Sequence, residues 1–239
     1  HVLDAAHSLR PQSITLVYGH GGEHVREVLG GESLNWALQA EQLGTGHAVA
    51  QAMPFVSEDI VLILYGDVPL IQPATLADFV ARADANTIAL MTLTMENPTG
   101  YGRIIRDANG RVSRIVEQKD ANDAELAVDE VNTGILACPR AFLADVLPKL
   151  KSNNAQGEYY LTDVISMAVQ AGLVVDTMQP AHGGEVDGVN DRVQLARLER
   201  IYQGVQAEGL MRAGVTVVDP ARLDVRGAVQ CGTDITLDI

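Results

Sequence analysis

Short apolar runs rich in β-branched residues alternate along the chain with segments whose apolar positions recur at helical spacing. Strand-like runs are "SITLVYG", "IVLILYG", "TIALMTLTM" and "VNTGILACP", and helix-like segments are "EHVREVL", "ATLADFVARA" and "AFLADVLPKL". A helix over residues 161–171 and a strand over residues 173–178 extend the series. This alternation predicts a parallel or mixed sheet with helices on both faces, a Rossmann-like three-layer α/β domain over residues 1–190.

The run "IVLILYGDVPL" at residues 60–70 raises the first functional question. Its apolar part is typical of a buried parallel strand, yet it leads directly into Gly66 and Asp67, and burying a carboxylate without a partner is unfavourable. In an open α/β sheet the carboxyl ends of the strands face the ligand crevice, so Asp67 could meet a ligand or a metal ion. Asp67 could equally cap the turn that contains Pro69.

The pattern changes at residue 191, where apolar residues take helical spacing over a long segment. Asp191 suits the N-cap of a helix, and Gly214 suits its end. We interpret residues 191–213 as a connecting helical arm that spans roughly 30 Å. Its apolar positions are Leu195, Leu198, Ile201, Tyr202 and Val205.

Aliphatic residues then recur every six positions over residues 214–239. One set is Val217, Leu223, Val229 and Ile235, and a second set with the same interval is Val225, Cys231 and Leu237. Six-residue periodicity is typical of a parallel β-helix, in which each repeat turns one aliphatic side chain inward. A pair of alternating strands would also give part of this pattern.

Composition and charge narrow the classes of partner. The chain has 239 residues, 47% of them hydrophobic, with 17 Lys and Arg against 31 Asp and Glu, a formal net charge of −14. Such a surface repels nucleic-acid backbones and anionic membranes, so we expect neither as a partner. Two distant cysteines, Cys138 and Cys231, and the lack of a long apolar stretch or signal peptide predict a cytoplasmic protein without a disulfide framework.

Two glycine-containing loops differ in what they predict. The loop "YGHGGEH" at residues 18–24 fits neither a dinucleotide-binding nor a P-loop motif, so we interpret it as a structural turn. In "LQAEQLGTGHA", Gly44 allows close backbone approach to a flat ligand, and Gln39 and Gln42 offer paired donors and acceptors. This combination suits the edge of a nucleobase, although Thr45 is explained equally well as a helix N-cap.

Polar loops elsewhere are typical of a sugar pocket. "NPTGYGRI" and "NAQGEYYLTD" supply Gly, Tyr and amide groups, while "IVEQKD" and "EVNTGIL" place Glu117 and Asn132 beside strands. Uncharged hydrogen-bonding groups with one carboxylate are what sugar hydroxyls and an acetamido group require. Each motif alone could be turn chemistry. The six histidines are scattered without metal-ligand spacing, so we do not expect a zinc site.

Seven motifs, in chain order, resemble the uridylyltransferase half of the bacterial bifunctional N-acetylglucosamine-1-phosphate uridylyltransferase and glucosamine-1-phosphate acetyltransferase family. They are "LQAEQLGTGHA", "LYGDVPL", "PTGYGRI", "IVEQKDA", "EVNTGI", "NNAQGEYYLTD" and "VDGVNDRVQL". The resemblance implies a nucleotidyltransferase domain at 1–190, a linker helix at 191–213 and the start of a left-handed parallel β-helix at 214–239. The family's Gly-rich triphosphate loop, with its Arg and Lys, would precede residue 1.

The resemblance also implies roles for individual residues. Uracil would be held by Gln39, Gln42, Gly44 and Thr45, and the other substrate-binding residues would be Tyr65, Gly66, Gly102, Glu117, Asn132, Tyr160 and Thr162. Asp67 and Asn190 would be the catalytic pair and would bind Mg²⁺, which prefers oxygen ligands and takes few of them from protein.

The implied reaction joins UTP and N-acetylglucosamine 1-phosphate into UDP-N-acetylglucosamine and pyrophosphate, for peptidoglycan and lipopolysaccharide precursors. The resemblance further implies acetylation of glucosamine 1-phosphate with acetyl-CoA and a homotrimer built through the β-helix. Two alternatives remain open from sequence. One is another sugar-1-phosphate nucleotidylyltransferase, and the other is a catalytically silent nucleotide-sugar-binding subunit.

Overall fold

The computed structural model describes residues 1–19 and 21–238, and these residues form two compact units. The larger unit comprises residues 1–66 and 71–183, and the smaller one comprises residues 67–70 and 184–239. No helix among the described residues is long and apolar enough to cross a membrane.

The larger unit alternates strands and helices as the apolar pattern predicts. Its helices are α1 (Val2–Ser8), α2 (Glu23–Leu29), α3 (Thr45–Ala52), α4 (Pro73–Val80), α5 (Asp123–Leu126), α6 (Arg140–Val146) and α7 (Asp163–Gln170). Its strands are β1 (Thr15–Tyr18), β2 (Asn35–Leu38), β3 (Ile60–Ile63), β4 (Thr87–Thr94), β5 (Arg103–Arg106), β6 (Val112–Val116), β7 (Glu130–Pro139) and β8 (Val174–Met178). The predicted α2, α4, α6, α7 and β8 are therefore confirmed, with ends that differ by a few residues.

Six of these strands form one mixed sheet. Its order is β6-β5-β7-β4-β8, and β3 also pairs with β7, at residues 136–139. β4 and β8 run parallel, whereas β7 runs antiparallel to β3, β4 and β5. β1 and β2 form a separate parallel pair. The long strand β7 thus lies at the centre of the sheet, and the prediction of a mixed sheet is confirmed.

The apolar run at the start of "IVLILYGDVPL" does not form the expected buried parallel strand. It forms β3, which pairs antiparallel with β7, and all four of its residues are half-buried. The expectation is wrong because an apolar run carries no information on strand direction. Side chains alternate between two faces of a sheet in either pairing, so only the long-range partner decides it.

Both faces of the sheet are covered. Ile88 and Leu90 of β4 pack in a cluster with residues of α6 and α7. Met91, the next residue of β4, is also fully buried. Phe79 of α4 is fully buried as well and lies outside that cluster, and α4 contacts β4. Because successive strand residues point to opposite faces, helices cover the sheet on two sides, as the three-layer prediction requires.

The predicted structural turn between β1 and α2 is confirmed for the residues described. Gly21 has φ +75 and Gly22 precedes the first residue of α2, so these glycines reverse the chain. His20 of the same loop lies outside the described residues. Both cysteines are free; Cys138 is buried, and burial raises the pKa of its thiol to about 12.

The smaller unit contains the predicted long helix, α8 (Arg192–Arg212). Asp191 caps it, since its Oδ1 accepts hydrogen bonds from the backbone N–H groups of Val193 and Gln194, both at 2.8 Å. Gly214, with φ +96, follows the C-terminus. Both predicted helix signals are confirmed, whereas the role of the helix as a linker stays a prediction.

Two short strands follow α8 and pair in parallel, β9 (Thr216–Val217) and β10 (Thr236–Leu237). Val217 lies opposite Leu237 and is buried, whereas Ile235, from the same six-residue set as Val217, is exposed. The pairing of β9 with β10 therefore places Val217, from the first six-residue set, opposite Leu237, from the second. A β-helix over this segment stays a prediction.

Candidate active site

The loop between β2 and α3 holds the residues predicted to bind a nucleobase. Gln39 follows β2 and is 9% exposed, and its amide nitrogen donates to the carbonyl of Gly44 at 3.0 Å. Gly44 has φ +107 and ψ 174, a conformation that is essentially restricted to glycine, and a Cβ there would lie 2.7 Å from the Tyr159 carbonyl oxygen. The loop is thus closed on itself by Gln39 and packed tightly against residue 159.

Thr45 binds this loop to a distant segment of the chain. Its hydroxyl accepts the Leu161 N–H at 3.1 Å, and the Gly46 N–H donates to the Tyr159 carbonyl at 2.8 Å. The N-cap of α3 is Gly44 and carries no side-chain cap, so the alternative interpretation of Thr45 as the N-cap is wrong.

Gln42 lies on the surface of the same loop. Its amide nitrogen occupies the space where a side chain at position 19 would begin, so Gly19 is the residue that leaves room for it. The four residues predicted to hold uracil therefore lie together, three on this loop and Thr45 at the start of α3, and hydrogen bonds of Gln39 and Thr45 fix the shape of the segment.

A small pocket beside the central sheet brings together several of the predicted substrate-binding residues. Its polar lining is Tyr65, Asn132 and Thr162, with Gly134. Its apolar lining is Leu90, Ile115, Leu136, Leu161 and Ile165. The Tyr65 ring lies directly over Gly134, where a Cβ would overlap the ring, so glycine at 134 leaves the space that the aromatic ring fills. An apolar wall with a few fixed polar groups is typical of a small-molecule site.

Glu117 and Gly102 adjoin this pocket through Thr162. The Thr162 hydroxyl donates to Glu117 Oε1 at 2.9 Å, and a Cβ on Gly102 would lie 3.3 Å from Glu117 Oε2. The carbonyl of Gly102 accepts the Asn132 N–H at 2.9 Å. Four residues predicted to contact the sugar are therefore joined by direct contacts, although they come from four separate segments.

The electrostatic environment of Glu117 favours its neutral form. Burial raises the pKa of Glu117, and the charges of Asp120, Asp163 and Glu158 act in the same direction, while the hydrogen bond from Thr162 opposes them. Burial also raises the pKa of Asp163, again with a contribution from Asp120. A neutral hydroxyl or amide donor beside Glu117 would therefore be bound without the cost of adding another charge.

Tyr160 is buried, and its hydroxyl donates to Asp120 Oδ2 at 3.2 Å. Burial, with the adjacent Asp120 carboxylate, raises the pKa of Tyr160 to about 12. Asp120 Oδ1 also accepts the Ala155 N–H at 2.9 Å, so this aspartate ties Tyr160 to the loop that precedes it. Tyr160 thus lies near the pocket, with its hydroxyl engaged by Asp120.

Asp67 and Asn190 belong to the smaller unit and lie on segments that contact each other. The Val189 N–H donates to the Asp67 carbonyl at 2.8 Å, and Asp67 Oδ2 lies 3.6 Å from where a Cβ on Gly188 would be. Asn190 comes directly before the helix-capping Asp191, and both Asp67 and Asn190 are exposed. Gly66, the residue before Asp67, is exposed as well.

Comparison with known protein families gives a match over most of the chain. The model of the nucleotidyl transferase family matches residues 17–182, which include the loop between β2 and α3 and the pocket lined by Tyr65, Asn132 and Thr162. The chain belongs to the nucleotidyl transferase family.

Two curated members of this family lineage are similar over the whole chain. Bifunctional protein GlmU from Alcanivorax borkumensis is 68% identical over 238 residues, which cover 100% of this chain and 53% of that protein. Bifunctional protein GlmU from Pseudomonas aeruginosa is 58% identical over 239 residues, again 100% of this chain and 53% of that protein. The chain spans about half the length of the curated relatives it matches.

Solved structures share the fold at low sequence identity. A nucleotidyl transferase from Methanothermobacter thermautotroptrophicus matches with a TM-score of 0.56 and 18% identity, over 82% of this chain and 76% of that one. HddC from Yersinia pseudotuberculosis matches with a TM-score of 0.53 and 14% identity, over 74% of this chain and 73% of that one. At these identities the likeness concerns the mixed α/β fold alone.

The Asp67 carboxylate and the Asn190 amide supply exposed oxygen atoms, the kind of ligand that a hydrated divalent cation takes from protein. Within the described residues, neither the Asp67 carboxylate nor the Asn190 side-chain amide has a hydrogen-bond or ion-pair partner in the protein. Nor do the described residues bring together three or more His, Cys, Asp or Glu side chains as a metal cage. Exposed oxygen donors in small number are the ligand set of Mg²⁺, which keeps several waters and substrate oxygens.

Several residues that build the site were not predicted from sequence. His47 lies beside Gln39, Gln51 lies beside His47, and Asp120 holds Tyr160. His47 stands inside the quoted motif "LQAEQLGTGHA", three residues after Gly44, so its position on the first turn of α3 was the available signal. Asp120 stands inside "IVEQKDA" but bonds to a residue 40 positions away, which no local pattern indicates.

Proposed function

We propose that the protein transfers the uridylyl group of UTP to N-acetylglucosamine 1-phosphate, forming UDP-N-acetylglucosamine and pyrophosphate. The observation that carries the proposal is the contact between Thr162 and Glu117 at the edge of the pocket lined by Tyr65 and Asn132. It is supported by the identity of 68% to a relative named bifunctional protein GlmU, which the two alternative functions do not explain.

The loop between β2 and α3, which we name the nucleobase loop, would select and orient the uracil. In this proposal Gln39 and Gly44 lie against the base edge, while Thr45 and Gln42 keep the loop in shape. Since the loop is already closed by internal hydrogen bonds, little conformational entropy would be lost when the base binds.

The pocket lined by Tyr65, Asn132 and Thr162 would bind the acceptor substrate, N-acetylglucosamine 1-phosphate. Glu117 and Asn132 would exchange hydrogen bonds with the sugar hydroxyls and the acetamido group. The backbone of Gly102 can lie close to Glu117 because glycine has no side chain. The ring of Tyr65, which lies over Gly134, would cover the apolar face of the sugar. Tyr160 would support this pocket through Asp120 and Thr162 through Glu117.

Asp67 and Asn190 would hold the divalent cation, which we propose to be Mg²⁺. When bound, this ion supplies positive charge that neutralises phosphate oxygens in a protein whose net charge is −14. The protein's own part is to keep both oxygen ligands exposed, with Asp67 held by the backbone bond from Val189.

The chemical step needs positioning more than proton transfer. A phosphate oxygen of N-acetylglucosamine 1-phosphate forms a bond to the α-phosphorus of UTP, and the bond from that phosphorus to the bridging oxygen breaks with its electron pair leaving on pyrophosphate. The attacking phosphate is already anionic near pH 7, so no general base is required. Glu117, beside the pocket, accepts a hydrogen bond from Thr162, and we propose that it binds the sugar and transfers no proton.

For the whole protein we propose the wider organisation that the family resemblance implies. Residues 1–190 would be the uridylyltransferase domain, 191–213 the linker and 214–239 the beginning of a left-handed β-helix that carries acetyl transfer and assembles a homotrimer. The parallel pairing of β9 with β10 supports a β-helix here. A cytoplasmic location would follow from these nucleotide and sugar-phosphate substrates.

The test is pyrophosphate release by the complete reading frame that contains residues 1–239. We expect release with UTP and N-acetylglucosamine 1-phosphate that depends on Mg²⁺ and yields UDP-N-acetylglucosamine. Glucose 1-phosphate, ATP and dTTP serve as matched alternatives. Equal or faster release with glucose 1-phosphate would instead identify another sugar-1-phosphate nucleotidylyltransferase, and binding without release would identify a silent subunit.

A further inference from the structure

The amide of Gln39 has both of its N–H groups engaged inside the protein. Its Nε2 donates to the Gly44 carbonyl at 3.0 Å and lies 3.1 Å from Nδ1 of His47. A primary amide has two N–H donors on nitrogen and two acceptor sites on oxygen. With both donors occupied, the group that Gln39 has left for a ligand is its oxygen, a pure acceptor.

His47 is the partner that completes this arrangement. The Gly44 carbonyl fixes which end of the Gln39 amide is nitrogen, so Nδ1 of His47 must accept the second N–H. The neutral imidazole then carries its proton on Nε2. Gln51 Nε2 lies 3.1 Å from that ring nitrogen and donates to the His47 carbonyl at 3.5 Å, so a hydrogen bond from the ring N–H to Gln51 requires the Gln51 amide to turn its oxygen toward the ring.

We propose that His47 is a positioning residue that makes Gln39 read the donor on the base edge. This inference rests on the proposed function, in which Gln39 contacts the base. Uracil carries N–H at ring position 3, whereas cytosine carries a bare acceptor nitrogen there. An amide held with its oxygen outward accepts from uracil N3–H and opposes the N3 lone pair of cytosine. His47 therefore favours UTP over CTP without touching the nucleotide.

The predicted consequence separates selectivity from general binding. In His47→Leu, one Gln39 N–H is released, and the amide can turn its nitrogen toward the ligand more easily. The loss of a hydrogen bond of ordinary strength corresponds to about a 5- to 10-fold change, so we expect the KM for UTP to rise by this factor. The ratio of kcat/KM for UTP to that for CTP should fall by about the same factor. kcat with saturating UTP should change little.

A matched set of variants keeps the inference testable if one of them folds poorly. In His47→Asn, the side-chain oxygen takes the place of Nδ1, and we expect the UTP preference to stay within about threefold of the wild type. In Gln51→Leu, solvent can replace the lost partner because the contact is only partly buried, and the preference should stay within about twofold. Thermal melting of each variant separates misfolding from altered reading of the base.

The experiment measures kcat/KM and calorimetric binding for UTP and CTP with the complete reading frame and its variants. An unchanged UTP to CTP ratio in His47→Leu would overturn the inference, as would a loss in His47→Asn as large as that in His47→Leu. Failure of the proposed function looks different, since the wild type would then release no pyrophosphate. Calorimetry would still show whether His47 alters the preference between the two nucleotides.

Discussion

Glu117 and Asp67 are both carboxylates on segments that follow strands, but their surroundings differ in almost every respect. Glu117 is half-buried, accepts a hydrogen bond from Thr162 and has a raised pKa, for which burial is the leading cause. Asp67 is exposed, and within the described residues its carboxylate has no partner in the protein. The two side chains share a functional group and are suited to different ligands.

The difference follows from what each ligand brings to the site. The half-buried Glu117 carboxylate already accepts a hydrogen bond from Thr162, and neutral hydroxyl and amide groups can donate further hydrogen bonds to it. An exposed carboxylate with open oxygens suits a cation that retains much of its own water. We therefore assign neutral sugar groups to Glu117 and the divalent ion to Asp67, and four substitutions test this contrast.

The largest effect is expected for Asp67→Ala in the complete reading frame. Loss of a direct metal ligand should reduce pyrophosphate release by about 100-fold or more. Substituting residues that only hydrogen-bond to metal ligands already lowers metal affinity or activity by about 10- to 100-fold. Titration with Mg²⁺ should not restore the rate. Asp78→Ala removes the same charge from an exposed position on α4 and should behave as the wild type. Full activity of Asp67→Ala at saturating Mg²⁺ would contradict the assignment.

The second effect concerns Glu117→Ala and acceptor binding. Removing a buried hydrogen-bond partner corresponds to about 1–3 kcal/mol, so the KM for N-acetylglucosamine 1-phosphate should rise roughly 5- to 150-fold. The KM for UTP and the Mg²⁺ dependence should change little. Steady-state kinetics with each substrate varied in turn gives both values. A rise in the Mg²⁺ requirement instead of the acceptor KM would exchange the roles of the two carboxylates.

A smaller effect on the acceptor is expected for Gly102→Ala. The added Cβ would lie 3.0 Å from Ile115 Cγ2 and 3.3 Å from Glu117 Oε2, closer than ordinary packing allows. Overpacking of this kind corresponds to about 1 kcal/mol or more, so the acceptor KM should rise about 5-fold. Gly31→Ala, where the added Cβ meets nothing within 4 Å, is the control. Equal acceptor KM values in the two variants would show that Glu117 does not need open space at Gly102.

The smallest effect is a pH-dependent gain in stability in Glu117→Gln. The folded-state pKa of Glu117 is raised, so as pH increases the unfolded chain releases this proton before the folded protein does. Ionisation therefore favours unfolding, and the neutral glutamine should melt slightly higher than the wild type at pH 7. The difference should disappear below about pH 4, where Glu117 is protonated in both states.

Glu96→Gln, at an exposed position, is the matched control for the melting experiment. Its melting temperature should follow the wild type throughout the pH series. A lower melting temperature for Glu117→Gln than for the wild type at pH 7 would show that the charged form of Glu117 is stabilised by the fold.

Local patterns predicted those features of the fold that depend on neighbours in sequence. The spacing of apolar residues located α4, α7 and β4, and Asp191 with Gly214 marked the two ends of α8. These signals act within one or two turns of chain, so the sequence contains them directly. The antiparallel pairing of β3 with β7 was missed because strand direction depends on a partner far along the chain.

The candidate site shows the same contrast between features set by local sequence and features set by distant partners. The motif resemblance named Glu117, Asn132 and Thr162, and the fold places them around one pocket. The contacts that shape the site were not predicted, because Thr45 bonds to Leu161 across 116 residues and has no local signature for it. The resemblance thus predicts which residues act on ligands, whereas the contacts that hold these residues in place required the structure.

The central contrast is tested most directly by a crystal structure of the complete protein with UDP-N-acetylglucosamine and Mn²⁺ in place of Mg²⁺. We predict an anomalous peak within about 2.2 Å of an Asp67 oxygen and of the Asn190 amide oxygen, as expected for a small hard cation. We also predict a hydroxyl or acetamido group of the sugar within about 3.2 Å of the Glu117 carboxylate. An anomalous peak at Glu117, or none at Asp67, would contradict the assignment of the two carboxylates.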